Sequence, residues 1–300
     1  MSDAPYGSLT GICRFFDLGR VIEVADSGGY ANTNFKIRTD TGQYVIRIST
    51  THPAEHLQSE IQYLNLLSRS PLPVPQCHCS RHGEFVYESS GMTAVVTRFV
   101  EGKPPLRLSP PMMADLAITL AALHQIDPRH FPRRTTWWHP DYLTTHLDLA
   151  RSRFGESLIA DLAGKIQASV SQPTPDLPMG IVHGDPWSGN TLFAGDELVA
   201  LVDWEETAIG YPVYDLAYAA IHNCFPDDQY DPVLFETLVT AYERVRKLSD
   251  CEKRYFSKVV DRIVCTNSLW MLLKSEPDAS PQNLSMYQWY QSLRLDQLKI

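Results

Sequence analysis

One stretch of the sequence decides the fold: Ile181-Val-His-Gly-Asp-Pro-Trp-Ser-Gly-Asn190-Thr-Leu-Phe-Ala-Gly-Asp-Glu-Leu-Val-Ala200-Leu-Val-Asp-Trp-Glu205. It contains two short apolar arms, 191–194 and 199–202, which flank a turn that begins at Gly195-Asp196. Two apolar arms around such a turn are typical of a β-hairpin. Polar residues with chemical potential stand before the first arm and after the second, so the hairpin is expected to present a functional site.

Pairing Ala194 with Val199 predicts that Asn190 lies opposite Asp203. An amide oxygen and a carboxylate are hard oxygen ligands that suit Mg²⁺. Asp185, on a Gly-Asp-Pro bend before the hairpin, adds a third oxygen-bearing side chain. Such a set indicates phosphoryl transfer, in which a metal ion neutralises phosphate charge and a separate Asp orients the attacking hydroxyl. Each residue alone is also a common turn or capping residue, and that alternative stays open.

Upstream of this stretch, the sequence predicts an antiparallel sheet followed by a helix. The predicted strands are Val21–Val24, Phe35–Arg38, Tyr44–Ile48 and Met92–Val100, and the predicted helix is Ala54–Ser68. Thr41-Gly42 is the expected tight turn between the second and third strands, and a Gly-rich loop, 26–34, joins the first two. This pattern predicts a β-rich N-terminal region with one long helix.

Downstream, the pattern is mainly helical. The predicted helices are Pro111–Ile126, Tyr142–Phe154, Ser157–Val170, Tyr214–His222, Pro232–Lys247 and Glu252–Leu273. The Pro-containing segment Glu101–Pro105 is the expected linker. We therefore predict an α+β protein with an N-terminal lobe at 1–100 and a larger, mainly helical C-terminal lobe at 101–300, which carries the hairpin.

Composition and charge exclude several classes of protein. The 300 residues include 26 Lys and Arg against 35 Asp and Glu, so the net charge of −9 argues against a nucleic-acid partner. No apolar run reaches the length of a membrane span, and the N-terminal residues do not resemble a secretory signal. We therefore expect a cytoplasmic protein without a membrane partner, whose six cysteines are reduced thiols.

Several motifs resemble a known family. His183-Gly-Asp185-x-x-x-x-Asn190, Asp203-Trp-Glu205 and the segment 210–217 are similar to the phosphotransferase family of aminoglycoside kinases, choline kinases and type II homoserine kinases. The resemblance is weaker at the N-terminus, where it covers Gly28-Gly29 through Arg47, Glu60 and 96–100. It implies a two-lobed, protein-kinase-like fold with ATP or GTP held between the lobes.

The resemblance also implies roles for individual residues. Asp185 would be the catalytic base, and Asn190 and Asp203 would bind Mg²⁺. The residues that the resemblance assigns to the nucleotide site are Gly28, Gly29, Arg47, Glu60, Phe99 and Val100. These assignments predict that the N-terminal lobe binds the nucleotide.

Two positions depart from the protein-kinase pattern. Arg47 stands where those kinases use a lysine on the nucleotide phosphates, and an arginine can bridge phosphate oxygens with two hydrogen bonds. Glu60 lies on a helix that could face Arg47 and fix its orientation. Glu205, in Asp203-Trp-Glu205, adds a carboxylate near the metal. It is interpreted as a second metal ligand or a substrate contact, with a solvated residue after a strand as the alternative.

These patterns favour an ATP-dependent kinase that phosphorylates a hydroxyl of a small molecule. A nucleotide-binding pseudokinase and a metal-dependent phosphohydrolase are the alternatives, and the oligomeric state is left open. We expect an acceptor with an amino or ammonium group, because acidic residues and the aromatic rings of Trp187 and Trp137-Trp138 suit a cation. The alternative is that the tryptophans are core residues. Acceptor contacts are expected from 130–178 and from the helices after 210.

Overall fold

The computed structural model describes residues 4–28, 32–49, 54–89, 91–134, 140–171, 176–274, 281–293 and 295–300. The chain divides into two compact units. The first consists of Met1–Lys103, Leu192–Ala194 and Val199–Glu205. The second consists of Pro104–Thr191, Gly195–Leu198 and Glu206–Ile300. The first unit therefore takes in most of the hairpin, which the sequence analysis assigns to the C-terminal lobe.

The first unit is an antiparallel sheet with two helices. Its elements are α1 (Ala4–Phe15), β1 (Val21–Gly28), β2 (Thr33–Thr39), β3 (Gln43–Ser49), α2 (Ala54–Leu67), β4 (Cys77–His78), β5 (Val86–Ser89) and β6 (Met92–Arg98). The strand order is β1-β2-β3-β6-β4, and β5 also pairs with β6. The predicted strands and the helix after them are confirmed, and every pairing in this sheet is antiparallel.

Alternation along the strands gives this sheet two different faces. Phe35 and Ile37 on β2 and Ile46 on β3 are buried in a core with α1. The intervening residues point to the opposite face, where Asn34 pairs in register with Arg47. Pattern alone did not predict α1, whose sequence contains a proline and two glycines. Its Leu9, Ile12 and Cys13 are buried in the same core, so tertiary packing outweighs the poor local propensity.

The second unit is mainly helical. Its helices are α3 (Pro110–Leu123), α4 (Pro140–Phe154), α5 (Glu156–Val170), α6 (Pro212–Asn223), α7 (Pro232–Val245), α8 (Asp250–Lys274) and α9 (Pro281–Ser292). Between α5 and α6, β7 (Gly180–Val182) pairs antiparallel with β10 (Ala208–Gly210). All six helices predicted for this region are confirmed, with ends within three residues. α9 was not predicted, because this helix is rich in polar and aromatic residues and has no apolar repeat.

The predicted hairpin is confirmed as β8 (Thr191–Ala194) and β9 (Glu197–Leu201), joined by the turn Gly195-Asp196. Only two residues separate the strands, so the turn is two residues shorter than a pairing of Ala194 with Val199 requires. Asp203 lies beyond the end of β9 with a positive φ of 63°, which is not extended backbone. The register argument that placed Asn190 opposite Asp203 is therefore wrong, and their approach stays a prediction.

Backbone hydrogen bonds attach the hairpin strands to the first unit. Lys103 and Phe193 form an antiparallel bridge, with N–H to O distances of 3.1 and 3.0 Å. The Leu201 N–H donates to the Pro73 carbonyl at 2.8 Å. These bonds explain why most of the hairpin belongs to the first unit, although in sequence it lies between segments of the second unit.

Two further observations concern the described residues only. No helix among them is long and apolar enough to cross a membrane. All six cysteines are free thiols, and Cys13, Cys224 and Cys265 are buried.

Candidate active site

Asp215 fixes the backbone that leads into the Asp185 loop. This fully buried carboxylate, in the first turn of α6, accepts hydrogen bonds from the N–H groups of His183 at 2.6 Å and Gly184 at 2.9 Å. It also contacts Nε2 of the buried His124 at 3.0 Å. The carboxylate thus satisfies two consecutive buried backbone donors that no regular strand or helix pairs. Asp215 therefore holds this loop in place.

A glycine is required beside the predicted base. Gly184 has a φ of +91°, which side chains rarely adopt. A Cβ at this position would lie 2.6 Å from the carbonyl oxygen of Glu206. The glycine therefore lets two backbone segments approach closely, and the next residue is delivered from a fixed point.

Sequence reasoning missed the contacts of Asp215 with His124 and, through it, with Tyr242. Nδ1 of His124 lies 2.6 Å from the hydroxyl of Tyr242, so the ring connects α7 to Asp215. A single histidine at the end of an apolar helix has no local pattern that reveals such a partner. The Asp185 loop is therefore supported by residues from three separate helices.

Asp185 and Asn190 are brought together. Nδ2 of Asn190 donates to Oδ2 of Asp185 at 2.8 Å and to its backbone carbonyl at 3.0 Å. Burial, together with the nearby charge of Asp185, raises the pKa of Tyr218 well above its ordinary value. The buried His183 accepts the Asp185 N–H on Nδ1 at 3.2 Å. The predicted base is therefore a half-buried carboxylate that accepts a hydrogen bond from the neutral amide of Asn190.

Asn223, which the sequence did not single out, holds the segment after Asp185. Its Oδ1 accepts the Ser188 N–H at 2.9 Å, and its Nδ2 donates to the Pro186 carbonyl at 3.3 Å. Between these two residues, Trp187 has 42% of its surface exposed, so it is not a core residue. Trp137-Trp138 lies outside the described residues.

In the first unit, Arg47 is the centre of a charged cluster. Its guanidinium forms an ion pair with the buried Glu60, as predicted, and its NH1 lies 3.6 Å from Asp203 and 3.9 Å from Glu205. Burial by itself would lower the pKa of Arg47, but Glu60, Asp203 and Glu205 together raise it above its ordinary value. The arginine is thus a permanent, oriented cation.

Asp203 and Glu205 differ in their surroundings. The Asp203 side chain is 40% exposed, and its left-handed backbone is uncommon outside functional sites and turns. Glu205 is largely buried, and its Oε2 accepts a hydrogen bond from Nδ2 of Asn32 at 2.9 Å. Asn32 belongs to the Gly-rich loop and was not singled out by the sequence analysis. Glu205 therefore connects this loop to Arg47.

The Gly-rich loop is described only in part. Gly28 has a φ of +71° and open space around its Cα, but its N–H donates to Oδ1 of Asp26 at 2.8 Å. Nδ2 of Asn34 donates to the Gly28 carbonyl at 3.0 Å. Gly29 lies outside the described residues. The loop is thus partly held by its own side chains.

Phe99 and Val100 follow the last strand of the sheet. The Phe99 N–H donates to the Gln43 carbonyl at 3.0 Å, and Nζ of Lys36 lies 3.7 Å from the centre of the Phe99 ring. A cleft of about 390 Å³ opens here within the first unit. Its lining includes Lys36, Phe99, Glu101, Gly102, Lys103 and Phe193. The predicted nucleotide residue Phe99 therefore contributes to a real concavity.

A family model described as a phosphotransferase enzyme family matches residues 23–248. The chain belongs to this family. Homoserine kinase of Rhodospirillum rubrum is 28% identical over 258 residues, which cover 84% of the present phosphotransferase and 80% of the relative. The family membership agrees with the motifs around Asp185 and Asp203.

Solved structures share the fold of this phosphotransferase. The structure of an amicoumacin kinase in complex with AMP-PNP, Ca²⁺ and Ami has a TM-score of 0.78 at 12% identity, and covers 99% of this chain and 97% of that one. A microcompartment-associated aminopropanol kinase has a TM-score of 0.65 at 18% identity, and covers 94% of each chain. The predicted α+β, protein-kinase-like fold is confirmed.

The prediction of an enzyme that phosphorylates a hydroxyl of a small molecule is also confirmed. These relatives are kinases and give no support to the pseudokinase alternative.

Proposed function

We propose that this phosphotransferase transfers the γ-phosphoryl group of ATP to a hydroxyl of a small acceptor that carries an amino group, such as homoserine or a short amino alcohol. The observation that carries the proposal is the Asp185 carboxylate, held by the amide of Asn190 on a loop whose backbone Asp215 holds in place. A fixed carboxylate of this kind is what a hydroxyl nucleophile needs for orientation and for loss of its proton.

The proposed reaction balances simply. The acceptor oxygen forms a bond to the γ-phosphorus, and the bond from that phosphorus to the oxygen bridging it to the β-phosphate breaks. The hydroxyl proton passes to the Asp185 carboxylate, and ADP leaves with the electron pair of the broken bond. Asp185 is therefore assigned as the catalytic residue, and Asn190 holds it without competing for the proton, because its amide donates a hydrogen bond.

The residues fit a magnesium ion. Both recorded hydrogen bonds of the Asn190 side chain use Nδ2, so its Oδ1 is the atom suited to a cation. Asp203 offers a half-exposed carboxylate. Among the described residues, no three His, Cys, Asp or Glu side chains form a ready metal site, which suits Mg²⁺, an ion that uses few protein carboxylates together with substrate phosphates. We assign Asn190 and Asp203 to this ion, which would neutralise phosphate charge.

We assign the nucleotide to the first unit. The Arg47 guanidinium, oriented by Glu60, is the expected phosphate contact, and Gly28 and Gly29 supply the loop beside it. Phe99 and Val100 are the expected residues around the base. The amicoumacin kinase structure, with AMP-PNP and a divalent ion, supports ATP as the nucleotide, whereas GTP has no support of this kind. The proposal keeps the cytoplasmic location expected from the sequence, where ATP is available.

The role of Glu205 becomes sharper in this proposal. Its hydrogen bond with Asn32 and its approach to Arg47 favour a contribution to the nucleotide site. A second metal ion on Glu205 would have to compete with both partners. We therefore assign Glu205 to the ordering of Arg47 and the Gly-rich loop.

The acceptor class rests on charge and on the relatives. In the second unit, Asp185 and the nearby Glu206 provide negative charge, and Trp187 presents an exposed aromatic face. Such surroundings suit an amine. Homoserine and aminopropanol, named for one relative and one structural neighbour, both combine an amine with a hydroxyl.

A matched acceptor panel tests the proposal. ADP release from MgATP would be measured with L-homoserine against 4-hydroxybutyrate, and with 1-amino-2-propanol against propan-2-ol. The compounds of each pair differ only in the amino group. We expect kcat/KM at least about 10-fold higher for the amine of a pair, the value of one well-made charged contact. Equal or higher kcat/KM for the compounds without an amine would contradict the acceptor class. Failure to phosphorylate any of these hydroxyls would contradict the function.

A further inference from the structure

Two side chains of α6 hold the main chain on both sides of Asp185. Before Asp185 in the sequence, Asp215 in the first turn of α6 accepts hydrogen bonds from two backbone N–H groups, at 2.6 and 2.9 Å. After Asp185, the side chain of Asn223 at the end of the same helix hydrogen-bonds two further backbone groups, at 2.9 and 3.3 Å. The proposed base therefore lies between two segments that are both attached to one helix.

The buried amide of Asn223 uses both its oxygen and its nitrogen. The oxygen accepts the Ser188 N–H, and Nδ2 donates to the carbonyl of Pro186 and, at 2.8 Å, to that of Ala219 in its own helix. The contact with the loop thus requires one acceptor and one donor at the end of the same short side chain. Asparagine provides both, whereas an ionised aspartate has no donor and alanine has neither group. The residue type at 223 is therefore matched to the two backbone groups of the loop.

We infer that Asn223 is a positioning residue for Asp185: by holding residues 186–188, it keeps the carboxylate at the place where it meets the acceptor hydroxyl. The inference rests on the proposed role of Asp185. Within the loop, the Trp187 N–H donates to the Asp185 carbonyl at 3.0 Å, and Nδ2 of Asn190 donates to the same carbonyl. Because these bonds join the held segment to Asp185, a shift of residues 186–188 also moves the proposed base.

The Asn223→Ala variant removes all of these side-chain hydrogen bonds. With the amine of the acceptor panel that gives the highest kcat, we expect kcat to fall about 10- to 100-fold, the range for a misplaced catalytic group, while the KM for ATP changes little. The matched control is Asn283→Ala, at a buried asparagine of α9 whose Nδ2 donates to the Lys274 carbonyl. The control is expected to keep the wild-type kcat. A kcat for Asn223→Ala equal to that of the control overturns the inference.

A second variant keeps the test open if Asn223→Ala does not fold. Asn223→Asp preserves the size of the side chain and the acceptor for the Ser188 N–H, but it turns a carboxylate oxygen toward the Pro186 carbonyl. We expect kcat to fall at least about 10-fold, because the loop is held at one point instead of two. Wild-type kcat in Asn223→Asp also overturns the inference.

A double-mutant cycle separates positioning of Asp185 from a general effect on the fold. In an Asp185→Ala background, Asn223→Ala is expected to cause little further loss of residual turnover, because the group that Asn223 positions is already absent. Equal fold losses in both backgrounds would show that Asn223 acts independently of Asp185, which overturns the inference.

Fluorine NMR reports on the loop without an acceptor. Trp187 lies between the two residues that Asn223 holds, and its signal in protein labelled with 5-fluorotryptophan is identified by its loss in Trp187→Phe. We expect Asn223→Ala to shift or broaden this signal, and Asn283→Ala to leave it unchanged. If no acceptor is phosphorylated, the proposed function fails, while this spectrum still decides whether Asn223 holds the loop. An unchanged Trp187 signal in Asn223→Ala overturns the inference.

Discussion

The two units hold the carboxylates of the candidate site in different ways. In the first unit, Glu60, Asp203 and Glu205 surround one buried cation, Arg47. In the second unit, Asp185 accepts a hydrogen bond from the neutral amide of Asn190. An ion-pair cluster keeps a cation charged and oriented for phosphate, whereas neutral donors leave a carboxylate able to take a proton. The comparison indicates that each unit's electrostatics suit a different part of one reaction.

The largest effect is expected at Asp215, which holds the backbone of the Asp185 loop. Asp215→Ala leaves two buried backbone N–H groups and His124 without their shared partner. We expect it to lower the free energy of unfolding by about 3–5 kcal/mol, as for the loss of one member of a buried polar network. Urea unfolding measures this loss. The exposed Asp176→Ala is the control, and a loss below about 1 kcal/mol would show that the loop does not depend on Asp215.

The next largest effect concerns Asp185 itself. Asp185→Asn is expected to lower turnover on the order of 10² or more, because it removes the group that takes the proton. Folding and MgATP affinity should change little, since asparagine keeps the size of the side chain and still accepts the hydrogen bond from Asn190. Steady-state kinetics and calorimetry measure these quantities, with Asp176→Asn as control. Wild-type turnover in the variant would remove Asp185 from the mechanism.

The charged cluster should respond in the opposite way, through binding more than through stability. Asp203→Ala is expected to weaken Mg²⁺-dependent ATP binding by at least about 10-fold, because the carboxylate is assigned to the ion that bridges the phosphates. Calorimetry with and without Mg²⁺ measures the change. Glu205→Gln keeps the shape and the contact with Asn32, and it is expected to cost less. Unchanged MgATP affinity in Asp203→Ala would make the metal assignment wrong.

The smallest effect concerns how stability depends on pH through His222. Burial lowers the pKa of His222 to about 3, against 6.5 in an unfolded chain. Between these values the unfolded chain binds a proton that the folded protein refuses, so stability is lost as the pH falls below 6.5. By pH 5 the loss is about 1–2 kcal/mol.

Replacement by a residue that does not titrate tests this pH dependence. His222→Asn is expected to flatten the fall in urea stability between pH 7 and pH 5. An identical pH dependence in the variant and the wild-type protein would count against a depressed His222 pKa.

Sequence alone predicted what depends on local pattern. Apolar periodicity located the sheet and the long helices, and the motif that contains Asp185 and Asn190 marked two side chains that do lie together. The Arg47–Glu60 pair was also predicted, since a strand and a following helix are near in sequence. These features depend on residues within one or two elements.

The remaining features depend on partners far apart in the chain. His124 and Asp215, 91 residues apart, meet because α3 and α6 pack together, and neither residue has a local signature for the other. Tyr218 resembled any core aromatic. The turn of the hairpin was predicted two residues too long, because the pattern could not show that β9 begins at Glu197. Tertiary packing decides such details.

The hairpin's attachment to the first unit has a consequence for biosynthesis. The N-terminal segment of that unit ends at Lys103, but its last segment ends at Glu205, 102 residues later. At a translation rate of about 5–20 residues per second, the ribosome needs on the order of 5–20 s to supply the missing strands. During that interval the nascent chain holds Arg47 and Glu60 without Asp203 and Glu205, so the Arg47 cation lacks two of its three acidic neighbours. The emerging polypeptide therefore cannot complete its first unit until the segment that contains Asp185 has also been made.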